Sequence, residues 1–222
     1  MRMVSHPDCL NLPDTAVKKG GVDMTQIKHR PKTYMEHAYF FGYGSLVNRD
    51  THAFTAAHTA RLRGWKRVWR HTDLRPVAFL TVVPDTDSKI DGLIAAVPGD
   101  DWAALDERER AYTRVPAAHQ VTHALTHQPE IAVYSIPDGA HGAPTETHPA
   151  LLSYIDVVVQ GYLREFGEDG ARAFFDTTDG WDTPVLDDRA EPLYPRHRRL
   201  SLDEYGFVDD QLARRDIRLI GP

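Results

Sequence analysis

Apolar residues along this chain come mostly in short runs between turn-forming residues, the rhythm of strands rather than of long helices. The run from Ala38 to Gly44, Ala-Tyr-Phe-Phe-Gly-Tyr-Gly, is aromatic and bounded by Gly and Ser. It predicts a buried strand that ends in a tight turn, with Ser45 able to cap a short helix or turn. Further strands are expected over 61–71, 77–83 and 92–97, and Pro84-Asp85-Thr86-Asp87 reads as a turn. Two more are expected over 120–126 and 131–136, with His127-Gln128-Pro129 turning between them. Helical spacing occurs twice. Trp102 to Tyr112 predicts one helix, with Asp100 or Asp101 available as its cap, and Leu151 to Phe166 a second that stops near Gly167.

The flanks differ from this core. Residues 1–36 are polar and unpatterned and read as a mobile leader, with Met35 an alternative natural start. Residues 171–222 carry Trp181, Pro184, Pro192 and Pro195 among many charges and read as an irregular wrapping extension. One domain over 37–222 is therefore expected. Its class is α+β: a small mixed β-barrel with an internal helix, a C-terminal helix and an irregular tail.

Composition narrows the partners. A formal charge of −6 argues against general nucleic-acid binding, because a phosphate backbone rewards clustered positive charge. Cys9 is the only cysteine, which excludes an internal disulfide and a cysteine-based zinc site and fits a reducing cytoplasm. No apolar run approaches the roughly 20 residues that span a bilayer. Arg61, Arg63, Lys66, Arg67 and Arg70 interleave with Trp65 and Trp69. On a chain of net negative charge they are expected to pair with nearby acids on a barrel strand rather than bind single strands. His119, His123 and His127 recur every four residues, but Pro116, Val121 and Pro129 favour an extended strand there, so no metal site is expected.

Two places carry candidate chemistry. In Phe41-Gly42-Tyr43-Gly44-Ser45-Leu46 two glycines flank a tyrosine at a strand end. Such a turn can bring bare amide N–H groups against a carboxylate or an oxyanion, and it is equally a plain strand-to-loop turn. In Leu105-Asp106-Glu107-Arg108-Glu109-Arg110-Ala111-Tyr112, helical spacing places Trp102, Leu105, Glu109 and Tyr112 on one stripe. Glu109 then sits on the apolar face, Glu107 on the solvent side and Asp106 at the edge. A carboxylate facing a core must be paired, neutralised or used. The segment Asp187-Asp188-Arg189 through Tyr194-Pro195-Arg196-His197-Arg198-Arg199 either lines the pocket and meets a substrate carboxylate through an arginine fork or forms a charged surface wrap.

Tyr43-Gly44-Ser45-Leu46 after an aromatic strand, followed about sixty residues later by Leu-Asp-x-x-Glu and a nearby tyrosine, resembles the γ-glutamylcyclotransferase-like (AIG2-like and ChaC-like) family. The resemblance covers about Tyr39 to Ile136 and weakens over 154–166. It implies the barrel fold, a substrate-binding turn of Tyr43, Gly44, Ser45 and Leu46 with Tyr112 nearby, and Glu109 as the catalytic residue. It further implies release of 5-oxoproline from a small γ-glutamyl compound, glutathione included, without metal or cofactor. Many relatives have Gly directly after the catalytic Glu, whereas Arg110 stands here. Hydrolase or lyase chemistry on another small amide, and a catalytically silent binding module, are the alternative readings. Leaving-group preference and oligomeric state stay open.

Overall fold

The computed structural model describes residues 37–54, 56–72, 76–137, 139 and 141–221. The expected leader, with Cys9 and Met35, lies outside them. Strand β1 (Tyr39–Gly42) is buried along its whole length, as its unbroken aromatic run requires. It lies between β3 (Phe79–Ala96), antiparallel, and β6 (Ile131–Ser135), parallel. Adding β2 (Ala57–Arg70), β4 (Thr113–Pro116) and β5 (Val121–His123) gives the order β4-β6-β1-β3-β2-β5, with β8 (Thr178–Asp179) beside β2. The result is a curled half-barrel in a mixed α+β fold, the expected class.

The sheet corrects two sequence expectations. Residues 77–83 and 92–97 are not separate strands, because β3 continues through 85–88, which are unpaired opposite Gly64, and pairs with β2 on both sides of them. The turn chemistry is absorbed as a large bulge: pairing passes from Arg63↔Lys89 to Trp65↔Pro84 across Gly64, whose φ is +79°, and Asp85 accepts the amide of Asp87. Residues 120–126 and 131–136 do not form a hairpin. β5 pairs with β2 while β6 pairs with β1 and with β4, an edge strand ending in Pro116 that the apolar pattern did not reveal. His119 lies in a 3₁₀ turn and His123 at the end of β5, so their spacing of four does not place them on a helix face.

Helix α1 (Trp102–Arg108) is capped by Asp101, whose side chain accepts the Ala104 amide. It stops four residues short of Tyr112, and Glu109 is its C-cap, its amide still bonded to Leu105 O. Helix α2 (Leu152–Asp176) breaks at Gly167 (φ +68°, ψ −172°), as expected, but resumes beyond it. Its first half is buried nearly all round, from Leu152 to Tyr162, and packs on the sheet and on the turn after β1. A Cβ at Gly161 would strike the backbone of Val47 and Asn48, so a bare glycine lets the helix approach that closely. Asn48 locks the contact, donating to Val157 O at 3.0 Å and Gln160 Oε1 at 2.9 Å.

The tail is less irregular than expected. Residues 202–214 form α3 (Leu202–Arg214), started by a capping box between Ser201 and Glu204. Three two-residue strands, β7 (Ala150–Leu151), β9 (Val185–Leu186) and β10 (Leu219–Ile220), join in a parallel sheet of order β10-β9-β7. Arg189 spans the buried Asp156 with two bonds of 2.7 and 2.8 Å and reaches Asp209 at 2.6 Å, tying the tail to α2 and α3. No helix among the described residues is long and apolar enough to cross a membrane.

Candidate active site

Gly42 ends β1, and the chain turns through Tyr43 and Gly44 into a 3₁₀ turn over Ser45–Val47. Two donors from residues that do not line the main cavity hold the Tyr43 carbonyl: Arg67 Nε at 3.1 Å and Tyr162 Oη at 3.0 Å. Because a trans peptide points its C=O and the following N–H in opposite directions, the Gly44 N–H is turned toward the cavity that Gly44 lines. The Tyr43 side chain anchors the turn, donating to Tyr134 O at 2.7 Å. The Ser45 amide meets the Tyr154 hydroxyl, while Ser45 Oγ meets the Tyr194 hydroxyl at 2.8 Å.

The cavity holds about 630 Å³, a size that suits a small ligand. Tyr43, Gly44, Ser45, Leu46, Glu109 and Tyr112 all line it, so the six residues singled out from the sequence come together here. Glu109 reaches it from the C-cap of α1 rather than from a helical face. Asp106 steadies that helix end by accepting the Tyr134 hydroxyl at 2.6 Å, with Arg114 at 3.5 Å from its second oxygen and stacked on Trp102. Glu107 stays outside, exposed and 3.8 Å from Arg110. Tyr112 donates to Leu80 O at 3.2 Å. Among the described lining residues, Glu109 is the only acid and Arg196 the only base; the rest of the wall is largely aromatic and aliphatic.

Several phenols crowd this space. Burial first, then the neighbouring Tyr154 and Glu109, pushes the Tyr43 hydroxyl far above the usual tyrosine range. Tyr154 moves the same way through burial, Tyr194, Tyr112 and Glu109, against a small opposing effect of the Ser45 amide. These hydroxyls stay protonated at neutral pH, so they act as hydrogen-bonding groups and Glu109 is the group in the cavity suited to exchanging protons. Tyr134 and Tyr154 were not singled out from the sequence, whereas Tyr194 and Arg196 belong to the tail segment that it offered as pocket lining. They arrive from β6, the first turn of α2 and the tail, and only the Tyr194-Pro195-Arg196 cluster carried a local hint.

A glycine turn at the end of a central strand and one carboxylate share a mostly apolar cavity, an arrangement able to support acid–base chemistry on a small ligand. The family model described as gamma-glutamyl cyclotransferase, AIG2-like, matches residues 40–154, just over half of the 222 residues, and the chain belongs to that family. No curated protein sequence matches it. Similar solved structures include one named gamma-glutamyl cyclotransferase, 14% identical, covering 79% of this chain and 99% of that one with a TM-score of 0.48. Others are an uncharacterised protein from Homo sapiens (14%, 78% and 99%, TM-score 0.48) and a gamma-glutamyl cyclotransferase specific to glutathione from yeast (14%, 82% and 97%, TM-score 0.41).

Proposed function

We infer that the protein converts a small γ-glutamyl compound to 5-oxoproline and a free amine, with Glu109 as general acid/base. The observation that carries this reading is the convergence of Glu109, as the one acid among the described lining residues, with the Tyr43–Leu46 turn on one cavity in a chain of this family. The substrate's α-nitrogen attacks its own γ-carbonyl carbon; a C–N bond closes a five-membered ring and the original γ-amide C–N bond breaks. Attack within one molecule avoids most of the entropy of bringing two reactants together, provided the pocket holds the folded-back conformer. The α-amine is largely protonated at neutral pH, so a base must remove its proton and an acid must deliver one to the departing nitrogen. Glu109 serves both steps in turn. The Gly44 N–H, aimed at the cavity, receives the oxyanion that develops on the γ-carbonyl.

The test is release of 5-oxoproline from a panel of γ-glutamyl amines, γ-glutamyl amino acids and glutathione, comparing wild type with Glu109→Gln. Turnover by wild type and a loss of roughly two to four orders of magnitude in the variant, with an unchanged melting transition, is the expected result. Release of glutamate instead would make the chemistry hydrolysis, and no turnover of any γ-glutamyl compound would overturn the reading.

A further inference from the structure

The residues matched by the family model end at 154, yet the cavity continues beyond them, walled by Leu193, Tyr194, Pro195 and Arg196. This wall is firmly built. Asp188, buried at 4% exposure, accepts the Leu193 amide at 2.9 Å, the Ser153 hydroxyl at 2.5 Å and the Ser153 amide at 2.8 Å, fastening the segment to the start of α2. The Tyr194 hydroxyl then bridges Ser45 Oγ and Arg196 Nε, at 2.8 and 3.1 Å.

Arg196 stands apart from its neighbours in the tail. Arg189 is saturated by Asp156 and Asp209, and Arg198 is spent on the carbonyls of Asp50, Arg196 and His197. Arg196 uses only Nε, with its guanidinium carbon 5.6 Å from the Tyr194 ring centre. Among the described residues its terminal nitrogens meet no acceptor and no carboxylate partners it. A planar fork of donors, half-buried beside a cavity and fixed at its root, is the geometry that takes a carboxylate in two parallel bonds.

We propose that Arg196 is a specificity residue that binds a carboxylate on the leaving group; this rests on the cyclotransferase reading above. Every substrate of that reaction shares the γ-glutamyl end, so recognition of that end belongs to the region the family shares. The part that varies from substrate to substrate meets the part of this chain outside it. The wall of the same cavity also carries the apolar Val77, Phe79 and Leu193, the last 57% exposed and three residues before Arg196. The preferred leaving group is accordingly an amino acid with an apolar side chain and a free α-carboxylate, rather than a plain amine.

The experiment compares γ-glutamyl-leucine with γ-glutamyl-isopentylamine, which is the same molecule without the leucine carboxylate. The reading expects kcat/KM to favour the amino acid by roughly tenfold to hundredfold. Arg196→Met should collapse that ratio toward one, and Arg196→Lys, which keeps the charge and loses the fork, should recover part of it. A wild-type ratio near one, or an Arg196→Met variant that lowers both substrates equally, overturns the proposal, since equal loss would place Arg196 on the shared glutamyl end. An NMR titration with free leucine, against isopentylamine, keeps the test independent of turnover. If leucine binds wild type but not Arg196→Met while no γ-glutamyl compound yields 5-oxoproline, the carboxylate site stands and the activity falls. If neither turnover nor binding is seen, both fall.

Discussion

Arg67 is 1% exposed, and among the described residues every hydrogen-bond partner of its guanidinium is neutral: the carbonyls of Tyr43 and Asp91, the Tyr162 hydroxyl and Thr177 Oγ1. The sequence suggested an arginine paired with an acid, as Arg61 is with Asp91 and Lys66 with Asp179; Arg67 instead holds backbone. Arg67→Met keeps an unbranched aliphatic stem and removes the donors, together with the guanidinium that lies 5.0 and 5.3 Å from the Tyr162 and Phe174 ring centres. Two effects then compete. Removing a buried cation recovers desolvation energy, which favours the variant. Against it, the Tyr43 and Asp91 carbonyls now share one remaining donor, the Tyr162 hydroxyl, which has a single proton. One carbonyl is left bare, at about 1–3 kcal/mol, and the second keeps a single bond. Thr177 needs no replacement because it donates to Ala173 O at 2.6 Å. The net expectation is a destabilisation of about 1–3 kcal/mol in urea unfolding, with unchanged m. Since the Tyr43 carbonyl sets the direction of the Gly44 N–H, kcat for 5-oxoproline release should also fall roughly tenfold or more, with KM changing less. A variant as stable as wild type would mean that burying the cation outweighs its bonds. Unchanged kcat would refute the assignment of the Gly44 amide.

Two other expectations follow from close contacts and charge. A Cβ at Gly44 would lie well inside contact distance of the Tyr154 hydroxyl, whereas its next neighbour, Leu80 Cδ2, is 3.6 Å away. Gly44→Ala should therefore lower activity and stability, and Gly44→Ala/Tyr154→Phe should be more stable than Gly44→Ala alone, measured by thermal melts and 5-oxoproline release; a double variant that only adds the two losses would count against the clash. Burial opposes ionisation of Glu204, but bonds from the Ser201 amide, Gln160 and Ser201 Oγ and the charge of Arg164 outweigh it and hold the carboxyl below its usual 4.5. A depressed carboxyl gives stability that is present above the unfolded value and lost as pH falls through the folded one. Wild type should thus lose more stability than Glu204→Gln between about pH 5 and 3 in denaturant titrations, and parallel curves would refute this.

Strands with a single task were the most legible part of the sequence. β1 and β6 are buried on both faces and read as unbroken apolar runs, and the α2 pattern ended where Gly167 breaks it. β3 was misread because Pro84 and Asp85 look like punctuation, although a partner as long as β2 can absorb a bulge and carry on. α3 was missed although Ser201-Leu-Asp-Glu204 is a capping box, because the nearby prolines and charges outweighed it. For Glu109 the stripe argument led to the cavity although the helix ends one residue earlier, since a C-cap still follows the helical direction for one step. Tyr154 and Tyr194 could not be assigned in the same way: each looks like an ordinary aromatic locally, and only the packing of α2 and the tail brings them to Ser45.

The small parallel sheet of β7, β9 and β10 gathers segments that leave the ribosome far apart in time. The residues matched by the family, the turn and Glu109 are all made before the halfway point of α2, yet the cavity wall at 193–196 follows β9, and β9 pairs with β10 at 219–220. A nascent chain can therefore close its sheet and present Glu109 while one side of the cavity is still missing. β10 is made after the wall segment and completes a small sheet beside the residues leading to it, so that side of the cavity gains this support only once residues 219–220 have joined β9.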